Sequence, residues 1–234
     1  MSKQSPTTPE YITRGQRVVE DLYSDYQHII IAHDPDYGHV LYLDDDLQIA
    51  ESDHAYNRAM VEPIIEAGLL DRVLILGGGD GGVLKVAVHS QVREATLVDI
   101  DGKVVELART YLPGLCENAF DAGNARVVIG DAFAWLDGAH GYDAIIYDLT
   151  MEPVRANQSR LEFIEEIVGR IADSLKPDGM LTMQCCSEHQ PGLREEIHQA
   201  LTRHFTAVSD RPVDIPSYHE RWIFASARYP IKEC

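Results

Sequence analysis

Apolar runs alternate with helical stretches from residue 72 to the end of the chain. Runs that are apolar along nearly their whole length predict strands buried on both faces, as in a parallel sheet covered by helices. These runs lie at 72–76, 94–100, 125–130, 142–148, 179–184 and 221–226, with a weaker one at 206–208. The pattern predicts an α/β fold with a Rossmann-like, doubly wound, mostly parallel sheet, in which a ligand binds beyond the carboxyl ends of the strands.

The first 50 residues follow a different pattern. Three strand-like segments begin at Gln16, Gln27 and His39, and turn-rich pieces separate them. They predict a small antiparallel β subdomain over residues 11–50. Residues 1–10 are polar and contain proline, and we expect them to be disordered. Residues 51–234 then form the main, Rossmann-like domain.

A helical pattern connects the two regions. It begins near Ser52, and either Ser52 or Asp53 suits the N-cap position because both side chains can accept a backbone hydrogen bond. Pro63 lies inside the pattern and predicts a kink or a division into two helices.

Composition favours a soluble cytoplasmic protein. The chain has 234 residues, 45% of them hydrophobic, which suffices for one globular domain with a sizeable core. No stretch approaches the roughly 18 apolar residues of a membrane span, and the N-terminus lacks the apolar core of a signal peptide. The four cysteines show no C-x-x-C spacing, which favours a reducing compartment and predicts no metal site.

Charge narrows the possible partners. Asp and Glu number 38 against 20 Lys and Arg, so the formal net charge is -18. Such a field repels nucleic acid and anionic lipid and attracts cations, so we expect neither a nucleic-acid nor a membrane partner. Solubility alone explains the acidic excess equally well, so the motifs must decide.

Polar, mostly acidic side chains follow the predicted strands. They are Asp80, Asp99, Asp101, Asp131, Asp148 and Gln184. A single aspartate at such a position is most simply a helix N-cap. Several at one edge of the sheet are better explained by a ligand, with Asp99 suited to a ribose diol and Asp131 to an adenine amino group.

The glycine loop L-G-G-G-D-G-G at 76–82 restricts that ligand, because Asp80 lies at its centre. A dinucleotide would place its pyrophosphate at the start of the following helix, where this carboxylate repels it. S-adenosylmethionine carries no phosphate, but Asp80 opposes its carboxylate. Decarboxylated S-adenosylmethionine instead offers an aminopropyl ammonium group that Asp80 can bind.

The stretch V-L-I-L-G-G-G-D-G-G-V-L resembles the glycine loop of the polyamine aminopropyltransferases, the spermidine and spermine synthases, and the resemblance extends from about residue 16 to the C-terminus. Three further segments are closer to spermine synthases: A-E-S-D-H-A-Y-N-R-A at 50–59, D-L-T-M-E-P at 148–153 and P-S-Y-H-E-R-W at 216–222. The resemblance implies a class I methyltransferase-like fold. It also implies that the chain transfers the aminopropyl group of decarboxylated S-adenosylmethionine, a co-substrate, with no tightly bound cofactor.

The resemblance also implies roles for individual residues. Asp148 would be the catalytic base, aided by Tyr56, and Asp80 would hold the aminopropyl ammonium. The donor would contact Gln27, Gly77, Gly78, Gly79, Asp80, Asp99, Asp131 and Leu149. The polyamine acceptor would contact Asp53, Tyr56, Asp148, Gln184, Tyr218, Glu220 and Trp222.

The implied reaction converts spermidine to spermine or thermospermine, and we expect a homodimer. Three departures from the family pattern leave alternatives open: Asp99 replaces a glutamate, Cys185 replaces a glycine, and Glu152 precedes Pro153 as an acid does in spermidine synthases. Glu152 favours putrescine as the acceptor. Two other hypotheses are a methyltransferase and a non-catalytic polyamine-binding protein. Asp80 disfavours the methyltransferase, and the presence of Asp148 and Tyr56 disfavours a protein that only binds polyamines.

Overall fold

The computed structural model describes residue 12 and residues 15–150 and 157–232. The N-terminal sheet is antiparallel, with strand order β1-β2-β3-β4. Its strands are β1 (Arg17–Tyr23), β2 (His28–Asp34), β3 (Gly38–Leu43) and β4 (Asp46–Ala50). The predicted disorder of residues 1–10 concerns residues outside the described ranges.

Strand β4 was not expected from the sequence, because D-L-Q-I-A is only five residues long. A two-residue turn creates it: Asp44 and Asp45 both have positive φ, at 47° and 73°. Two central residues with positive φ are typical of the type I′ turn, whose twist matches that of the flanking strands. The turn therefore pairs β4 with β3 although the strand is short.

The main sheet has seven strands in the order β10-β11-β9-β8-β5-β6-β7. They are β5 (Arg72–Gly77), β6 (Glu94–Asp99), β7 (Ala125–Ile129), β8 (Tyr142–Asp148), β9 (Leu175–Ser187), β10 (Phe205–Ile215) and β11 (Glu220–Pro230). Strands β5 to β9 pair in parallel, whereas β11 is antiparallel to both β9 and β10. The predicted Rossmann-like, mostly parallel sheet is confirmed.

Seven α-helices connect or cover these strands within the described residues. They are α1 (His54–Glu66), α2 (Gly82–His89), α3 (Gly102–Tyr111), α4 (Pro113–Cys116), α5 (Ala132–Leu136), α6 (Arg160–Ser174) and α7 (Pro191–His204). Short 3-10 turns lie at Ala119–Asp121 and Pro216–Tyr218.

Alternating side chains of β5 contribute to two separate cores. Val73 and Ile75 of β5 face α1 and α2, whereas Leu74 and Leu76 face α6 on the other side. Each such side chain contributes about 1.5–3 kcal/mol when fully buried. The strands are apolar along their length because both of their faces are covered.

The N-terminal sheet shares one of these cores. Ile29, Ile31, Leu41 and Ile49 are buried in the same cluster as the residues of α1 and α2. This packing holds the β1–β2 turn beside the carboxyl end of β6, where Ser24 contacts Asp101.

Two sequence expectations differ from the structure. Pro63 does not divide the first helix, since it lies in the last turn of α1, which continues to Glu66. Strand β10 is longer than the weak run at 206–208 because it is an edge strand with an exposed, polar side, and its pairing with β11 extends it to Ile215. No helix within the described residues combines the length and apolarity that a membrane crossing requires.

Candidate active site

Parallel pairing brings three strand ends together around the glycine loop. Gly77, the last residue of β5, pairs with Asp148 at the end of β8, and β6 on the other side ends at Asp99. A Cβ atom at Gly78 would lie 2.9 Å from Asp148 Oδ2, and one at Gly79 would lie 2.8 Å from Asp99 Oδ2. The loop therefore requires glycine because it passes directly against two carboxylates.

Tyr56 and Asp148 form a direct hydrogen bond. The Tyr56 hydroxyl donates to Asp148 Oδ1 over 2.7 Å. The Tyr56 ring is buried in α1 and makes edge contacts with Phe224 and Tyr218, at centroid distances of 5.0 and 6.4 Å. Packing thus fixes the donor, which holds the carboxylate in one orientation.

The carboxylates at this edge of the sheet repel one another. Burial raises the pKa of Asp148 to about 7 and that of Asp80 to about 6, and it also raises the pKa of Asp99. The charge of Asp80 adds to the shift at Asp148, and the charge of Asp99 adds to both. Because the neighbouring charges that shift Asp80 and Asp148 are themselves carboxylates, a cationic ligand would relieve the repulsion.

Asp99 is held in place by backbone groups. Gly79 N donates to its Oδ2 over 2.9 Å, and Asp101 N donates to its Oδ1 over 2.8 Å. Each oxygen retains capacity to accept a further bond, as a ribose diol requires. Gln27 is brought to this side of the site by a bond from its Nε2 to Asp101 Oδ2, 2.9 Å long.

A second group of side chains lies on the β9 and β11 side of the site. Trp222 Nε1 donates to Gln184 Oε1 over 2.9 Å, and Gln184 Nε2 donates to the carbonyl of Leu149 over 3.3 Å. The rings of Tyr218 and Trp222 meet edge to face at 5.3 Å. Glu220 accepts a hydrogen bond from Ser187.

Asp53 and Asp131 are committed to structural bonds. Asp53 is fully buried at the N-cap position of α1, but its carboxylate accepts from Ala50 N and from the Ser217 hydroxyl instead of capping the helix. Asp131 is exposed and caps α5 through bonds to Phe133 N and Ala134 N. Asp53 therefore holds the segment that carries Tyr218, and Asp131 retains an oxygen that is not used in the cap.

The structure also places residues here that the sequence did not single out. Asn57, next to Tyr56, is buried against Gly82 at the start of α2, and its Oδ1 has no hydrogen-bond partner among the described residues. The sequence could have indicated Asn57 only through its position directly after Tyr56. Glu152, which the sequence connected with acceptor choice, lies outside the described residues.

No group of three or more His, Cys, Asp or Glu side chains is arranged to hold a metal ion in residues 12, 15–150 and 157–232. The described site presents carboxylates, amides and aromatic rings. Half-buried carboxylates beside aromatic side chains suit a ligand that carries both positive charge and apolar surface.

Comparison with known proteins identifies relatives over nearly the whole described chain. The spermine/spermidine synthase domain matches residues 54–230, and the spermidine synthase tetramerisation domain matches residues 17–51. A polyamine aminopropyltransferase of Pyrobaculum calidifontis is 38% identical over 216 residues, which cover 88% of this chain and 74% of that protein. Polyamine aminopropyltransferase 1 of Hyperthermus butylicus is 36% identical over 220 residues, covering 90% and 75%.

Solved structures agree with these relatives. A spermidine synthase in complex with the transition state analogue AdoDATO superposes with a TM-score of 0.81 at 29% identity, covering 92% of this chain and 75% of that one. The spermidine synthase of Thermotoga maritima gives a TM-score of 0.78 at 27% identity, covering 92% and 73%. The chain belongs to the spermine/spermidine synthase family and is a polyamine aminopropyltransferase.

Proposed function

We propose that this aminopropyltransferase uses spermidine as its acceptor and forms spermine or thermospermine together with methylthioadenosine. The observation that carries the catalytic part is the half-buried Asp148 carboxylate, bonded to Tyr56 and close enough to Asp80 for the two charges to interact. Such a pair of carboxylates suits two cationic groups that must meet, the aminopropyl ammonium of the donor and the amine of the acceptor.

The donor occupies the glycine-loop side of the site in this proposal. Asp80 binds the aminopropyl ammonium, while Asp99, Gln27 and Asp131 bind the methylthioadenosine part. Gly77, Gly78 and Gly79 carry no side chain, so the donor can approach the loop backbone closely. Side chains at these positions would also collide with Asp148, Leu149 or Asp99. Leu149, which follows Asp148, adds apolar contact to the nucleoside.

The acceptor amine is protonated at neutral pH and must lose a proton before it can attack. Asp148 accepts this proton, and Tyr56 holds the carboxylate that receives it. The nitrogen lone pair then attacks the propyl carbon bonded to the sulfonium sulfur, the C–S bond breaks, and its electron pair remains on sulfur as the neutral thioether of methylthioadenosine. A positioned base contributes typically about 10²–10⁴-fold to such a step.

A row of side chains on β11 supports spermidine as the acceptor. Phe224, Trp222 and Glu220 alternate along β11, so their side chains share one face of the strand, about 7 Å apart. Phe224 contacts Tyr56, Trp222 contacts Tyr218, and Glu220 lies farthest from Asp148 along this row. The row offers an apolar wall that ends in a carboxylate, as an acceptor with a distant ammonium requires.

The other acceptor-side residues support this wall. Gln184 is fixed by Trp222 and Leu149 and can contact the reacting amine. Asp53 acts on the acceptor through Ser217, the neighbour of Tyr218, since its own carboxylate is buried and bonded.

Putrescine is the second candidate acceptor. The similarity of the whole fold to a spermidine synthase, at a TM-score of 0.81, favours it. A product assay separates the two: purified protein is incubated with decarboxylated S-adenosylmethionine and either putrescine or spermidine, and polyamines are resolved by chromatography. Turnover of spermidine alone is the expected result, and turnover of putrescine alone would contradict the proposed acceptor.

The same assay tests the remaining alternatives. Incubation with intact S-adenosylmethionine should give no S-adenosylhomocysteine, because Asp80 opposes the carboxylate of that compound. A methyltransferase would release S-adenosylhomocysteine, and a protein that only binds polyamines would release neither nucleoside. Methylthioadenosine release with either amine would retain the enzyme assignment.

Assembly through the N-terminal sheet is a further part of the proposal. Residues 17–51 match a family model described as a tetramerisation domain, and Tyr23 and Tyr26 on this sheet and its turn are 76% and 57% exposed. The expected homodimer is therefore either the complete assembly or half of a tetramer. Light scattering after size-exclusion chromatography distinguishes the two by their molar mass. Buried, unpaired thiols at Cys116, Cys185 and Cys186 support function in the reducing cytoplasm.

A further inference from the structure

The turn between β1 and β2 is tied to the main domain by one carboxylate oxygen. The Ser24 hydroxyl donates to Asp101 Oδ2 over 2.6 Å, and Gln27 Nε2 donates to the same oxygen over 2.9 Å. Ser24 Oγ also accepts from the backbone N–H groups of Tyr26 and Gln27, each over 3.1 Å. Asp101 therefore fixes both the turn and the side chain at its end.

Asp101 is equally well fixed on its own side. It is only 2% exposed, its Oδ1 accepts from Lys103 N over 3.0 Å, and its backbone N–H donates to Asp99 Oδ1. The same residue therefore caps α3, orients Asp99 and holds Gln27. Asp101 thus connects Asp99 and Gln27, two side chains that the proposed function places against the nucleoside. The sequence alone assigned Asp101 no role of its own.

The chemistry of a carboxylate decides which way the Gln27 amide faces. Both Asp101 side-chain oxygens are acceptors, so the Gln27 amide must present its nitrogen to Asp101. Its carbonyl oxygen, Oε1, lies on the other branch of the amide and is left to accept. The ribose hydroxyls of a nucleoside are donors of the kind that this oxygen can bind.

We propose that Asp101 is a positioning residue that sets the orientation of the Gln27 amide, so that Gln27 Oε1 and Asp99 both present acceptors to the ribose of the donor. This inference rests on the proposed function for the placement of the donor. It adds that the N-terminal part of the chain contributes to donor binding through the Gln27 side chain, whose orientation its bond to Asp101 sets.

The Asp101→Asn variant tests this orientation while preserving the fold. Asparagine is as good an N-cap as aspartate, so the bond from Lys103 N is retained. The introduced amide then faces Gln27 with N–H groups, and the Gln27 amide turns over to present its nitrogen to the ribose. Isothermal titration calorimetry with methylthioadenosine should show an affinity weakened roughly tenfold or more, because the N–H groups of Gln27 would then face the ribose hydroxyls, which are themselves hydrogen-bond donors. Thermal unfolding verifies that the variant is folded.

A double variant distinguishes positioning from a merely structural role. In Asp101→Asn combined with Gln27→Glu, the introduced carboxylate accepts from the introduced amide and keeps a second oxygen for the ribose. Net charge is the same as in the original chain. Binding of methylthioadenosine should recover most of the loss, whereas Gln27→Glu alone should bind weakly because two carboxylates then face each other.

Each outcome decides the matter. Loss in Asp101→Asn with recovery in the double variant supports the inference. Unchanged binding in folded Asp101→Asn, or loss without recovery in the double variant, overturns the inference and leaves the proposed function standing. An original chain that binds no methylthioadenosine and turns over neither amine overturns the proposed function and the inference together.

Discussion

The Tyr56 hydroxyl donates to Asp148 Oδ1 over 2.7 Å, joining the first helix of the main domain to the end of β8. This bond lowers the pKa of Asp148, whereas burial and the charge of Asp80 raise it to about 7. Asp148 accepts a proton only when it is ionised, so kcat/KM of the original chain should rise with pH and level off above about 7. Rates measured from pH 5 to 9 verify this.

Removing the Tyr56 hydroxyl should move that pH profile. In Tyr56→Phe the carboxylate loses a bond that favours its charged form, so the rising limb should shift to higher pH and kcat should fall by roughly 10–100-fold. Tyr111→Phe is the matched control, because it removes a tyrosine–carboxylate bond, to Glu20, outside the site. If kcat/KM of Tyr56→Phe rises over the same pH range as in the original chain, the Tyr56 hydroxyl does not act on Asp148.

The Asp80 carboxylate should cost stability in the ligand-free protein. Its pKa is raised from 3.8 to about 6, so the folded state binds a proton more tightly than the unfolded chain does. Stability is therefore lost as the pH rises between these two values. At pH 8, Asp80→Asn should raise the free energy of unfolding by about 1–3 kcal/mol. Urea denaturation should show this gain at pH 8 and its disappearance below pH 3.8, and a gain that persists there would refute the electrostatic origin.

Alanine variants of Gly78 and Gly68 distinguish the effect of backbone strain from that of a steric collision with the site. Both have positive φ, at 71° and 70°, but a Cβ at Gly78 would approach Asp148 Oδ2 to 2.9 Å, whereas nothing lies within 4 Å of one at Gly68. Gly78→Ala should lower kcat/KM by roughly 10²-fold, since misplacement of about 1 Å has that effect. Gly68→Ala should share the loss of stability but retain kcat/KM, and equal losses of activity in both would contradict the collision.

Glu220 should discriminate between long and short acceptors. Glu220→Gln removes the carboxylate at the far end of the β11 row, so KM for spermidine should increase about tenfold while KM for decarboxylated S-adenosylmethionine stays constant. Asp214→Asn is the control, since its side chain is 85% exposed and pairs with Arg221. Equal effects of the two variants on KM for spermidine would place the distant ammonium elsewhere.

The strand ends were predictable because two local signals coincide there, an apolar run and an acidic residue at its end or in the loop that follows. Asp80, Asp99 and Asp148 were found in this way, and the structure brings them together. Asp53 shows the limit of the approach: it lies in a segment that resembles the family, yet its carboxylate is buried against Ser217, which is 164 residues away in the chain.

The bond between Gln27 and Asp101 could not be predicted for the same reason. The two residues are 74 positions apart, one in the β1–β2 turn and the other at the start of α3, so no local periodicity relates them. Strand β4 was missed because it is only five residues long, and a turn with two positive φ angles sets its pairing with β3. Local patterns record burial and strand ends, whereas contacts between distant segments depend on how the two sheets pack.

The most direct test of the central claim is the release of methylthioadenosine from decarboxylated S-adenosylmethionine in the presence of spermidine, measured for the original chain and for Asp148→Asn. Asparagine preserves the shape of the side chain but cannot accept the proton. We expect turnover by the original chain and a loss of kcat of about 10²–10⁴-fold in the variant, with binding of methylthioadenosine retained. Turnover by Asp148→Asn at the original rate would show that Asp148 is not the catalytic base.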